Sequence, residues 1–143
     1  MKSLSPSLSN HHRMTLCCRF ILTASLMLVA HGTWAQSAST EAGSSVKGKE
    51  VYTTRCSACH SIEANRIGPM HLGVVGRKAG SAVGYRYSEA LRKSKIVWSH
   101  DTLVAWLTEP EALIPGQRMG YSVDSTQDRE DLVAYLATLK IGK

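Results

Sequence analysis

Five consecutive residues, Cys56-Ser57-Ala58-Cys59-His60, concentrate the reactive chemistry of this 143-residue chain. Two thiols separated by two residues lie about one helical turn apart, and an imidazole follows the second thiol directly. Several chemistries use such a pair. A redox dithiol of this spacing belongs in a βαβ context, and no such alternation surrounds it. A structural zinc site needs four ligands, and residues 36–143 contain no second cysteine pair. A lone pair in an exported chain would ordinarily suggest a disulfide, but the adjacent His60 argues against one. The remaining reading is covalent haem attachment. Each thiol adds to one haem vinyl group, and the imidazole comes beneath the ring, where it can ligate iron.

A haem site closed to ligands needs a sixth iron ligand as well. Residues 36–143 hold two methionines, Met70 and Met119, and two further histidines, His71 and His100. Met119 ends the stretch Ile114-Pro115-Gly116-Gln117-Arg118-Met119, which its proline and glycine mark as an irregular loop. Such a loop can bend over a flat cofactor and present one side chain; the plainer alternative is a surface methionine. Met70 follows Gly68-Pro69 closely after His60 and is expected to pack on the proximal side.

The segment ahead of Gln36 has the order of an export signal. Lys2, Arg13 and Arg19 precede the apolar run from Phe20 to Ala30, and Thr33-Trp34-Ala35 offers small residues for cleavage. The basic lead is long, which makes Met14 an alternative start. A retained membrane anchor would need roughly 20 apolar residues, and Arg19 and His31 bracket a shorter run. The expected organisation is a cleaved signal over 1–35, a flexible lead over 36–45 and one domain over 46–143. Cleavage lowers the formal charge from +6 to +3, too little for a nucleic-acid surface. The expected location is the periplasm, with no stable membrane insertion.

The elements that position these residues read as helices. Residues 47–59 suit a helix running into the cysteine motif. Ser99 can cap a helix over 100–108, with Leu103, Trp106 and Leu107 as its apolar stripe and Pro110 as its stop. A last helix over 127–139 starts with Asp128, Glu130 and Asp131 and ends at Lys140, complementing the helix dipole. Its inward face would be Leu132, Tyr135, Leu136 and Leu139. No alternating strand is evident, so the expected class is all-α.

From Val46 to Leu139 the chain resembles the class I c-type cytochromes, close to mitochondrial cytochrome c and short soluble bacterial relatives. The resemblance rests on Lys47-Gly48-Lys49, the Cys56–His60 motif, Gly68-Pro69, Gly76-Arg77-Lys78, Gly84-Tyr85-Arg86-Tyr87, Trp98, Ile114-Pro115-Gly116 with Met119, and Arg129 to Leu136. It implies a small helical domain wrapped around one haem c, bound through Cys56 and Cys59. It also implies His60 and Met119 as the iron ligands, with the Pro69 carbonyl accepting from the His60 ring. Arg77, Tyr87 and Trp98 match positions near the haem propionates, and Tyr85 does so more weakly. Gly48 and Tyr52 would cross against Leu132 and Tyr135.

Departures from the family pattern bear on function. Trp106, Leu91 and Gln117 replace a polar cluster near the methionine sulfur, giving a drier pocket that disfavours ferric charge and raises the potential. His71 stands where an aliphatic residue usually lies. No lysine occurs between Lys95 and Lys140, so the docking face reads as mixed rather than basic. The implied activity is one-electron transfer by a monomer between redox proteins: a dehydrogenase or reductase as donor, an oxidase or reductase as acceptor. A haem-based sensor or peroxidase-like enzyme with a labile sixth ligand is the alternative. It would need a distal acid–base pair, and neither His71 nor His100 is placed for one.

Overall fold

A computed structural model describes residues 42–142, leaving the expected signal and most of the lead outside the described residues. Five helices follow in order: α1 Ser45–Arg55, α2 Glu89–Lys93, α3 His100–Thr108, α4 Pro110–Leu113 and α5 Thr126–Leu136. The only strand-like pairing among the described residues is an isolated bridge between Lys78 and Val97. The architecture is all-α, as expected.

Local chemistry sets most of the helix ends. Ser99 caps α3 through a reciprocal box with Thr102, and the stripe of Leu103, Trp106 and Leu107 is buried. Pro110 both ends α3 and opens the short α4, where its fixed φ suits a first helical turn. Two ends differ from expectation. Helix α1 stops at Arg55 rather than Cys59, because the chain then tightens into turns: Cys59 N–H and His60 N–H both donate to the Cys56 carbonyl, at 3.1 and 2.9 Å. Helix α5 stops at Leu136, with a terminal turn in which the Leu139 N–H donates to the Leu136 carbonyl. Lys140 therefore lies beyond the helix and does not complete its dipole. The short α2 was not expected; Ser88 caps it by accepting from the Leu91 N–H.

The first and last helices cross in close contact. A Cβ on Gly48 would lie 1.9 Å from the Asp131 carbonyl oxygen and 2.8 Å from Tyr135 Cβ, so only glycine permits this approach. The nearest atoms belong to Asp131 and Tyr135 rather than to the expected Leu132. Buried Asp131 has its own task, accepting from the Ser44 N–H at 2.7 Å and so tying the start of α1 to α5. Helix α3 is tied to α5 by His100, whose Nε2 meets Glu130 at 2.7 Å while Nδ1 meets Asp101 at 2.9 Å. These two carboxylates push the pKa of His100 up.

Gly48→Ala should therefore destabilise the folded protein near the upper end of the ~1–3 kcal/mol typical of overpacking, because the obstruction is backbone. Urea unfolding of the holoprotein measures it; a midpoint equal to wild type would refute the close crossing.

Candidate haem site

The core is built as the lining of one cavity of about 450 Å³. Leu91, Trp98, Leu103, Trp106, Leu107, Leu132 and Leu136 are buried and face it. Cys56, Cys59, His60 and Met119 line the same cavity. The turns after α1 deliver the first three. Their order follows from the sequence spacing, and the bonds onto the Cys56 carbonyl hold it.

His60 is held by two contacts made by the segment that follows it. Its Nδ1 lies 2.8 Å from the Pro69 carbonyl oxygen, which fixes the tautomer with the proton on that nitrogen and leaves Nε2 to coordinate. Gly68 passes so close that a Cβ there would sit 2.1 Å from His60 Cε1. Burial holds the His60 pKa below its ordinary value, partly offset by the bond to Pro69. A neutral imidazole is the form that binds metal.

The two cysteines are not joined in a disulfide; Cys59 is exposed and Cys56 half-buried. Burial pushes the Cys56 thiol up to about 11. Reactive cysteines have a lowered thiol pKa, the opposite of what burial does to Cys56. Nor is the pair a zinc site: among the described residues, no group of three or more His, Cys, Asp and Glu side chains gathers as metal ligands. The residues fit haem instead, with two thiols and an imidazole at the edge of a large, mainly apolar cavity and a thioether in its lining.

The other expected residues are brought to the cavity as well. Arg77 lines it and turns its guanidinium onto the Met70 and Leu72 carbonyls, at 2.7 and 3.0 Å. The Tyr87 hydroxyl accepts from the Ala82 N–H at 3.4 Å, and the Tyr85 hydroxyl donates to the Ile67 carbonyl at 2.5 Å. Trp98 and Trp106 pack with ring centroids 5.3 Å apart. Met70 is absent from the lining; its N–H donates to the Asn65 side chain at 3.0 Å.

Three arrangements go beyond what the sequence indicates. Glu111 of α4 accepts from the Gly116 N–H at 2.8 Å and from Gln117 Nε2 at 3.3 Å, while the Gln117 side-chain oxygen accepts from the Met119 N–H. Glu111 and Gln117 thus staple the methionine loop. Arg55, Arg77, Arg86 and Arg118 are the cations of the lining, so arginine supplies the charge that lysine does not. His71 also lines the cavity, stacked against His60 with centroids 4.2 Å apart. Burial is the main cause of its pKa falling to about 3.

Comparison with known proteins shows the family. Residues 45–140 match the family described as cytochrome c. Cytochrome c2 of Rhodopila globiformis is 46% identical over 101 residues, covering 68% of this chain and 95% of that protein. Cytochrome c of Cochliobolus lunatus is 41% identical over 100 residues, covering 67% and 93%. Among solved structures, cytochrome cH from Methylobacterium extorquens superposes with a TM-score of 0.64 at 39% identity, over 67% of this chain and 99% of that one. The chain belongs to the cytochrome c family, with the class I fold. It is an electron carrier that works through a c-type haem bound covalently at Cys56 and Cys59.

Proposed function

We propose that this protein is an exported, monomeric one-electron carrier whose haem iron is ligated by His60 and Met119. It exchanges electrons between a dehydrogenase or reductase and an oxidase or reductase outside the cytoplasm. The observation that carries the reading is that His60, braced by Pro69 and Gly68, and Met119, stapled by Glu111 and Gln117, line one apolar cavity. The haem supplies an iron that changes oxidation state by one electron. The chain's contribution is to hold both ligands and exclude water. Arg77, Tyr87 and Trp98 are assigned to the propionates, and Trp106 to the methionine side. The domain plan proposed with it has residues 1–35 as cleaved signal, 36–45 as lead and 46–143 as carrier.

Among the described residues, no helix is long and apolar enough to cross a membrane. The cavity lining among the described residues includes Leu91 and Trp106 and no carboxylate. The visible spectrum of protein from an exporting host tests the reading. A weak sulfur-to-iron band in the ferric form, with no response of the ferrous form to carbon monoxide, is expected. Rapid carbon monoxide binding by the wild-type protein would reopen the sensor or enzyme reading.

Alkaline behaviour provides an independent check. No lysine lines the cavity among the described residues, and none occurs between Lys95 and Lys140. Raising the pH should therefore leave Met119 bound or replace it by hydroxide, never by an amine. Magnetic resonance of an alkaline ferric sample decides this, and a lysine-ligated species would contradict it.

A further inference from the structure

Four aromatic rings stand in a row from the terminal helices to His60. Tyr135 of α5 lies 5.4 Å from Tyr52 of α1, Tyr52 lies 5.6 Å from His71, and His71 lies 4.2 Å from His60, centroid to centroid. The last pair is different in kind. Its planes are 19° apart, whereas the two tyrosine contacts are inclined at 58° and 68°. His71 Nδ1 and the Tyr52 hydroxyl are both sealed from solvent without a hydrogen-bond partner. Burying unpartnered polar atoms is costly, and an aliphatic side chain would fill this space without that cost. Retaining an imidazole there calls for an explanation, and its flat face supplies one.

We propose that His71 is a positioning residue that fixes the rotation of the His60 ring about the axis through its coordinating nitrogen. The proposal rests on His60 as the proximal ligand. The bond from His60 Nδ1 to Pro69 anchors one point of the ring, 2.8 Å from the carbonyl oxygen. Gly68 crowds Cε1. A point anchor and an edge contact still allow the plane to rock; a parallel ring against the face does not. A branched aliphatic chain offers no plane to match. Tyr52 and Tyr135 back His71 through α1 and α5, so the tightest helix crossing in the domain braces the ligand plane. Holding that plane in one orientation in both oxidation states reduces the rearrangement that accompanies electron exchange, in keeping with preorganised sites generally.

The orientation of an axial imidazole governs the magnetic anisotropy of low-spin ferric haem, which gives a readout separate from activity. Proton magnetic resonance of the ferric holoprotein is compared for wild type, His71→Leu and His71→Phe. His71→Leu is expected to redistribute the paramagnetic shifts of the four haem methyl groups, and His71→Phe, which keeps a flat ring, to restore the wild-type pattern. An unchanged pattern in His71→Leu, or a change in His71→Phe as large as in His71→Leu, would overturn the assignment. His71→Met replaces the leucine variant should that fail to fold. The wild-type spectrum separates this proposal from the one beneath it: strongly shifted His60 ring protons must be present there, and their absence would sink the ligation reading instead.

Discussion

Replacing Met119 by alanine is expected to convert a closed carrier into a protein that binds carbon monoxide stoichiometrically in its ferrous form. The thioether is the only soft donor that the methionine loop brings to the cavity, and soft thioether ligation holds the potential up. The staple through Glu111 and Gln117 acts on backbone atoms, so the loop keeps its path when the side chain is shortened. Leu91, Trp106 and Leu107 offer no lone pair suited to iron, and His71 is stacked on the proximal ligand. The sulfur-to-iron band should vanish, and the midpoint potential should fall. Packing complicates alanine, since Met119 is partly buried against the core and a truncated core methionine costs about 2–5 kcal/mol when fully buried. Met119→Leu removes that ambiguity, because a volume-conserving exchange keeps the packing while deleting the donor. A leucine variant that retained the band and ignored carbon monoxide would show that Met119 is not on the iron.

How far the site could be read from the chain depended on the range of the interactions involved. The Cys56–His60 motif needs only neighbouring residues to be recognised, and the structure places all three reactive side chains on one cavity. The start and end of α3 were legible for the same reason: Ser99 and Pro110 are local signals. The bond from His60 to Pro69 came from family resemblance, since no spacing rule predicts which carbonyl an imidazole will meet. What escaped depends on where separate segments come to lie. Helix α2 is too short for a hydrophobic period to register. Glu111 reaches the methionine loop only because α4 turns back at Pro110. Gly48 faces Asp131 because of the angle at which α1 and α5 cross, and periodicity does not fix that angle. His71 was recognised as a departure, but its parallel stack on His60 is a property of two loop segments meeting.

Removing the haem should unfold the domain. The cavity of about 450 Å³ is not a defect at the margin of a core; its walls are the core. Among the described residues, Leu132 and Val123 are the large side chains less than 2% exposed without it. At about 24 cal/mol per Å³ of cavity, a hole of that size costs roughly 11 kcal/mol, against a total stability of ~5–15 kcal/mol for an ordinary domain. Collapse could recover part of this cost. It would bring Trp98, Trp106 and Leu132 together only by breaking the turns that hold Cys56 to His60 and the loop that carries Met119. Local helix preference cannot make up the difference, since α1 and α5 span 11 residues each and isolated helices of that length are marginal in water. The apoprotein, produced without haem attachment, should show little helical signal by circular dichroism and no cooperative urea transition. The holoprotein should show both. Compact material with some helix but no sharp transition would still agree, because it would have lost the specific packing. A cooperative transition in the apoprotein would mean that the walls can close on one another, and that the fold does not depend on its cofactor.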